Sequence, residues 1–196
     1  MPNALAGDEN CVVALPLLVV VSGPAGTGTT TLAHTLARAI PCPAICRDEI
    51  KEGLVHPEND YTPAPGDAMQ QRTFQTFFGV VRFLVEAGAS VVAEAAFQHR
   101  LWEAGLLPVL DRAQVRIVHC RVDAAVAWAR IARRADETDA RRAVHGDYSL
   151  LGSFDDFKTR FDGFDRVALP VPSIDVDTTA GYDPALDEIV AFANTP

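Results

Sequence analysis

The stretch Leu17–Leu32, with the sequence LLVVVSGPAGTGTTTL, decides the fold of this chain. It opens with an apolar run from Leu17 to Val21 that predicts a buried strand, and a helical pattern begins at Thr31. Between them lies a glycine-rich turn, and the order strand, turn, helix is the context of a phosphate-binding P-loop. The turn fits the pattern G-x-x-x-x-G-K-[ST] at every position except the lysine, where Thr29 stands.

The glycines of this turn predict an anion cradle. They let the backbone turn tightly, so that successive N–H groups and the positive end of the next helix face one anion. Thr30 takes the position whose hydroxyl would bind the Mg²⁺ that bridges the β- and γ-phosphates. The nucleotide-binding residues predicted here are Gly23, Ala25, Gly26, Thr27, Gly28, Thr29, Thr30 and Thr31.

Thr29 leaves the catalytic competence of the site open. The usual lysine is a cation that follows the transferring phosphoryl group, and its loss without replacement is expected to cost at least ~10²-fold in rate. Three explanations of Thr29 are open. Another cation reaches the phosphates, the protein binds nucleotide without efficient transfer, or the threonine was introduced by engineering. Only Lys51 and Lys158 among the 17 basic residues are lysines, so a replacement cation is expected to be an arginine.

Length and composition favour one α/β domain. The chain has 196 residues, of which 48% are hydrophobic and 22% charged, and we expect a loose leader over 1–14 and a single domain over 15–196. The net charge of −9 makes long nucleic acid a poor ligand. The apolar run before the P-loop is too short for a membrane span and lacks the positive flank of a signal peptide. We therefore expect a cytoplasmic protein whose scattered cysteines, Cys11, Cys42, Cys46 and Cys120, are free thiols.

Strands and helices alternate along the chain, which predicts a three-layer α/β/α fold with a parallel sheet of about five strands. Ligands of such sheets bind beyond the carboxyl ends of the strands. The predicted strands are Leu17–Ser22, Pro43–Arg47, Ser90–Ala95, Val115–Cys120 and Ser173–Val176. The predicted helices are Thr30–Ala39, Asp48–Leu54, Asp67–Ala87, Arg100–Arg112, Asp123 to about Ala135 and Pro184–Ala193, with a charged helical segment over Glu137–Val144 and a loose stretch over Gly146–Asp165.

Two acidic residues lie at or just beyond the ends of predicted strands. Asp48, after the second strand, is placed beside the γ-phosphate, where a carboxylate can take a proton from an attacking hydroxyl; the alternative is a simple helix N-cap. Glu94 ends the third strand after apolar residues, an arrangement similar to Walker B, and would position Mg²⁺ or hold a substrate group. A buried carboxylate needs a partner in either case.

Arginines cluster late in an otherwise acidic chain. Arg130, Arg133 and Arg134 share a helix face, and Arg141 and Arg142 follow. They fit a lid over about 130–150 whose guanidiniums neutralise phosphate, and the alternative is a solvated, salt-bridged helix. The candidates for an acceptor pocket are Arg47, His56, Tyr61, Phe97, Gln98 and Arg100, whereas His34, His119 and His145 show no ligand spacing and are interpreted as structural.

With these residues assembled, the chain resembles the small P-loop kinases, especially polynucleotide kinase-type domains, zeta-toxin-like kinases and chloramphenicol-type phosphotransferases. The likeness covers about residues 15–193. It is carried by GPAGTGTTTLA, CRDEIKEG, VVAEAAF and HCRVDAAVAWARIARR, and IDVDTTAG looks like the strand and loop that flank the nucleotide base in such kinases.

The resemblance implies ATP or GTP as donor, Mg²⁺, and phosphorylation of a hydroxyl. It also implies that Asp48 is the base, that Thr30 binds Mg²⁺, that Arg130 and Arg134 contact the nucleotide from the lid, and that Thr178 and Thr179 touch the base. Glu94 joins Thr30 as a candidate metal ligand and joins Asp48 and the lid arginines as a catalytic candidate. The leading hypothesis is a kinase of a small metabolite or natural product; the alternatives are a non-catalytic nucleotide-binding protein and a nucleic-acid end kinase.

Overall fold

The structure is a computed structural model that describes residues 14–57, 61–64, 66–137, 144 and 152–195. Its strands are β1 (Leu17–Ser22), β2 (Ala44–Cys46), β3 (Val91–Glu94), β4 (Gln114–Arg121) and β5 (Ser173–Asp177). Its helices are α1 (Thr29–Ala39), α2 (Arg47–Val55), α3 (Ala68–Glu86), α4 (His99–Leu106), α5 (Ala124–Glu137), α6 (Phe154–Asp162) and α7 (Leu186–Asn194), with a 3₁₀ turn at Leu107–Val109.

The five strands form one parallel sheet in the order β2-β3-β1-β4-β5, with the strand that precedes the P-loop at its centre. The predicted three-layer α/β/α class is therefore confirmed. Because β1, β2 and β3 run in the same direction, their carboxyl ends at Ser22, Cys46 and Glu94 lie at one edge of the sheet. This edge is where ligands of open parallel sheets bind.

Alternating residues of β1 contribute to two hydrophobic cores, one on each face of the sheet. Leu18 and Val20 pack in the core that contains the aromatic residues of α3 and α4. Val19 and Val21 pack on the other face, against α1 and α7. All four side chains are fully buried, so the strand that carries the phosphate loop is held from both sides.

The stretch Gly146–Asp165, predicted to be loose, contains helix α6, and that prediction was wrong. Ser153 caps the helix by accepting a hydrogen bond from the backbone N–H of Asp156 at 3.1 Å. Phe157 is buried against α5, with its ring centroid 5.1 Å from that of Trp128. Packing on another helix therefore stabilises this short segment.

Other boundaries differ from the predictions by small amounts. The predicted helix Arg100–Arg112 ends at Leu106 and continues as the 3₁₀ turn, because Pro108 cannot donate a backbone hydrogen bond. The charged segment predicted over Glu137–Val144 lies mostly outside the described residues, as does the leader over 1–14 apart from Ala14. None of the described helices is both long and apolar enough to span a membrane.

Candidate nucleotide-binding site

The glycine-rich turn after β1 has the backbone conformation of a phosphate loop. Gly26 and Gly28 adopt positive φ angles of 88° and 78°, which side chains disfavour, and Gly28 is the N-cap of α1. A Cβ atom on Gly26 would lie 2.7 Å from the carbonyl oxygen of Ala127, so the loop packs directly on α5. The loop is closed internally by the Thr27 hydroxyl, which donates to the carbonyl of Pro24 at 2.8 Å.

Thr29, in the usual lysine position, faces the acidic strand end. Its hydroxyl donates a hydrogen bond to Oε1 of Glu94 at 2.5 Å, and both side chains are buried. The Thr30 hydroxyl also hydrogen-bonds Glu94. The two threonines and the carboxylate thus form one cluster of oxygen atoms below the phosphate loop, and oxygen is the ligand type that Mg²⁺ prefers.

Burial raises the pKa of Glu94 to about 7, with nearby Asp48 adding to the increase, while the hydrogen bonds from Thr29, Thr30 and Cys46 oppose it. Glu94 is only 4% exposed. Burial, followed by the carboxylates of Glu94 and Glu49, raises the pKa of the Cys46 thiol, which therefore keeps its proton. A bound cation would favour the ionised form of Glu94 and reverse part of this shift.

We expect Glu94 to make the protein less stable as the pH rises from about 4.5 to about 7. In this interval the unfolded carboxyl, whose ordinary pKa is 4.5, has lost its proton, whereas the folded carboxyl keeps it up to about 7. The folded state binds more protons, so raising the pH favours unfolding, by about 3 kcal/mol in total. Urea unfolding without Mg²⁺ or nucleotide measures the free energy of unfolding of the wild type and of Glu94→Gln at each pH. The value for the wild type minus that for Glu94→Gln should fall as the pH rises. A difference that stays constant across the interval contradicts the raised pKa.

Asp48 lies in the first turn of α2, just beyond the end of β2. Its Oδ1 accepts a hydrogen bond from Nη1 of Arg47 at 2.8 Å, and its side chain is 39% exposed. The Arg47 guanidinium lies 6.0 Å from the ring centroid of Phe97, and its Nε is buried without a hydrogen-bond partner. Asp48 is therefore oriented by a neighbouring arginine while part of its carboxylate remains accessible to a ligand.

A cavity of about 360 Å³ opens between the phosphate loop, helix α5 and the loop after β5. This volume is within the range of small-molecule sites. Three of the five arginines predicted for the lid line it. Its lining residues are Gly26, Gly28, Thr31, Arg130, Arg133, Arg134, Thr178, Thr179, Gly181 and Tyr182.

Arg130 connects two segments that line this cavity, the phosphate loop and the loop after β5. Its Nη1 donates to the carbonyl of Gly26 and the hydroxyl of Thr178, both at 3.3 Å, and its Nη2 donates to the carbonyls of Thr178 and Thr179 at 2.7 and 3.2 Å. The Thr178 hydroxyl in turn donates to the carbonyl of Thr27 at 2.6 Å. The Arg130 guanidinium therefore holds the phosphate loop and the loop after β5 together.

Lys51 and Tyr61 lie close together in a second region, beside α3. Lys51 is 3% exposed, and its Nζ donates to the carbonyl of Val144 at 2.7 Å and lies 5.5 Å from the ring centroid of Tyr61. The Tyr61 hydroxyl donates to Oδ2 of Asp67 at 2.7 Å. A cavity of about 290 Å³ is lined here by Tyr61, Asp67, Ala68, Met69 and Arg72.

The remaining acceptor candidates are not gathered at the loop. His56, Gln98 and Arg100 are exposed near the ends of α2 and α4. Phe97 is buried in an aromatic cluster with Phe77, Phe78 and Trp102, so it contributes mainly to the core.

The three histidines interpreted as structural lie in different surroundings. Burial lowers the pKa of His119 to about 4, with Arg166 adding to the decrease, so this ring is neutral. His34 instead contacts Cys46 and Glu49. His145, Arg141 and Arg142 lie outside the described residues.

Two site features were missed from the sequence. Gly181 and Tyr182 line the main cavity, and their position three and four residues after Thr178 is the signal that could have found them. Lys51 was counted as one of two lysines but was not placed, because its contact with Val144 joins segments 93 positions apart.

A parallel sheet with a glycine loop between its central strand and a helix defines a P-loop α/β protein. A family model described as an AAA domain matches residues 18–149, and the chain belongs to this family of P-loop domains. Among curated protein sequences, none matches the chain.

Solved kinase structures share the fold. A candidate kinase from Chloroflexus aurantiacus is 20% identical, with a TM-score of 0.73 over 91% of this chain and 96% of that one. The APS kinase of Mycobacterium tuberculosis, solved with AMPPNP and APS, is 14% identical, with a TM-score of 0.63 over 93% and 99%. A sugar kinase from Janibacter is 16% identical, with a TM-score of 0.58 over 90% and 94%. The chain therefore has a P-loop kinase-like fold.

Proposed function

We propose that this protein is a phosphotransferase that moves the γ-phosphate of ATP or GTP to a hydroxyl of a small metabolite or natural product. The observation that carries the proposal is the cavity of about 360 Å³ that joins the phosphate loop to three arginines. Backbone N–H groups and guanidiniums on two sides of one space suit a polyphosphate chain. The kinase-like fold supports the same assignment.

The residues of the proposed site form two groups, one that would bind the nucleotide donor and one that would bind the hydroxyl acceptor. The loop from Gly23 to Thr31 holds the phosphates, while Thr178, Thr179 and Tyr182 border the part of the cavity suited to the nucleoside. Thr30 and Glu94 would hold Mg²⁺, directly or through water, and the metal supplies charge neutralisation of the phosphates when bound. Their buried oxygen cluster fits such an ion.

Asp48 would take the proton from the acceptor hydroxyl. It stands beyond the end of β2, next to the carboxyl end of the strand that bears Glu94, with its carboxylate partly exposed. Arg47 orients that carboxylate through its hydrogen bond to Oδ1. Tyr61, which lines the cavity beside α3, and Arg47 would lie on the acceptor side, so the acceptor would lie between α2 and α3.

A second candidate is a nucleotide-binding protein without efficient transfer. The observation that favours it is the bond from Thr29 to Glu94, because this hydroxyl is committed to a protein carboxylate and adds no cation. The protein would then bind nucleotide through the same loop and respond to it without chemistry.

One experiment separates the two candidates. Calorimetry with Mg²⁺ and either ATP or GTP measures binding, and γ-labelled nucleotide with a panel of nucleosides, sugars and hydroxylated antibiotics measures transfer. We expect binding and one labelled product class. Tight binding without any labelled product favours the non-catalytic candidate, and the absence of nucleotide binding contradicts both.

A further inference from the structure

One cluster in the part of the chain that the structure describes combines three side chains that bind transition metals. His34 lies on α1, Cys46 ends β2, and Glu49 stands in the first turn of α2. Nε2 of His34 lies 2.6 Å from Oε1 of Glu49 and 3.7 Å from Sγ of Cys46, and all three ligand atoms lie within 4.8 Å of one another. We propose that these residues form a Zn²⁺ site, separate from the oxygen cluster at Thr30 and Glu94.

The donor set favours Zn²⁺ over Mg²⁺. Sulfur and imidazole nitrogen are ligands of zinc and other late transition metals, whereas Mg²⁺ takes oxygen. Zinc bonds of about 2.0–2.3 Å place tetrahedral ligand atoms roughly 3.3–3.7 Å apart. The distance of 2.6 Å from His34 to Glu49 is shorter than this spacing, and the distance of 3.7 Å from His34 to Cys46 lies at its upper end. Zinc binding therefore requires the Glu49 carboxylate to move away from His34 by somewhat less than about 1 Å.

The burial pattern makes that adjustment feasible. The side chains of His34 and Glu49 are 36% and 50% exposed, so they can move and admit an ion from solvent. Cys46 is 2% exposed and is fixed at the end of β2. The site therefore has one rigid ligand and two adjustable ones. Three protein ligands leave a fourth position for water, as in open zinc sites.

Cys46 links this cluster to the phosphate site. It is paired with Glu94 across the β2–β3 register, and its thiol also hydrogen-bonds the Glu94 carboxylate. Binding of the ion requires the thiol to release its proton to solvent as the sulfur–metal bond forms. The hydrogen bond from Cys46 to Glu94 would then be lost, so zinc would alter the surroundings of Glu94.

The ligands can be identified with Co²⁺ as a spectroscopic stand-in for Zn²⁺, in the full chain under reducing conditions. We expect one equivalent of Co²⁺ to give a near-ultraviolet thiolate-to-cobalt charge-transfer band, removed by Zn²⁺ and unaffected by a large excess of Mg²⁺. Cys46→Ser should abolish the band, and His34→Gln and Glu49→Gln should weaken Co²⁺ binding roughly tenfold or more. Cys42→Ser is the matched control and should retain the band.

A second measurement keeps the proposal testable if Cys46→Ser folds poorly. Zn²⁺ should raise the thermal unfolding midpoint of the wild type and of Cys42→Ser, because a ligand of the folded state stabilises it. The rise should be much smaller in His34→Gln, a substitution at a partly exposed helix position. A wild type without a thiolate band, or a band that survives His34→Gln and Cys46→Ser at full affinity, overturns the proposal. Neither readout depends on phosphotransfer.

Discussion

Asp48→Asn is expected to lower the turnover of phosphotransfer by about 10²–10⁴-fold while leaving nucleotide binding nearly unchanged. The amide keeps the size of the carboxyl group but cannot accept the proton of an attacking hydroxyl, and general bases contribute on this scale. Nucleotide binding is expected to persist because the phosphate loop and the arginine-lined cavity do not include Asp48. Steady-state kinetics with the identified acceptor, together with nucleotide calorimetry, measures the two effects separately.

Glu52→Gln is the matched control, because it removes a carboxylate one turn later on the same helix. Its turnover should remain close to that of the wild type. Equal losses in Asp48→Asn and Glu52→Gln would indicate a general effect of charge on α2 and contradict a role in proton transfer. A lost nucleotide affinity in Asp48→Asn would instead place this residue in donor binding.

Thr29→Lys is expected to raise turnover by about 10²-fold. Thr29 donates its hydroxyl to Glu94 and carries no charge, whereas a lysine here adds a cation at the phosphate loop. A well-placed charged donor is worth roughly 3 kcal/mol in the transition state, which corresponds to this factor. The buried carboxylate of Glu94 supplies a partner for the new ammonium before nucleotide binds, which limits the cost of burying it. The measurement is kcat under saturating nucleotide.

Thr29→Met separates charge from size, since methionine is about as long as lysine and uncharged. It should show no gain in turnover, and nucleotide binding should weaken if the added length obstructs the loop. A wild type that already turns over rapidly, with no gain in Thr29→Lys, would show that another cation already neutralises the phosphates. Arg133 and Arg134, which line the same cavity, would then be the first residues to replace.

The fold and the phosphate loop could be predicted because their signals are local. An apolar strand, three glycines and a helix lie within sixteen residues, and parallel strands place their ends at one edge of the sheet. The positions of Asp48 just beyond β2 and of Glu94 at the end of β3 followed from the same rule. Helix α6 had a local signal as well, since Phe154, Phe157 and Phe161 have helical spacing, but so short a helix depends on packing against α5, which the sequence does not show.

The rest of the site depends on contacts between distant segments. The bond from Thr29 to Glu94 joins residues 65 positions apart, and the bond from Arg130 to Gly26 joins residues 104 positions apart. His34 has no ligand spacing in the sequence, and only the packing of α1 beside the end of β2 brings it to Cys46. Side-chain partners of this kind depend on how helices and strands pack against one another. Hydrophobic periodicity and motif spacing do not specify that packing.

The close approach of Gly26 to Ala127 has a mechanical consequence. Because a methyl group on Gly26 would clash with Ala127, and the Arg130 guanidinium hydrogen-bonds the same loop, we expect the first turns of α5 and the phosphate loop to move together as one rigid block. Any swing of Arg133 and Arg134 toward a nucleotide must arise beyond this block, by rotation of their side chains or bending farther along the helix.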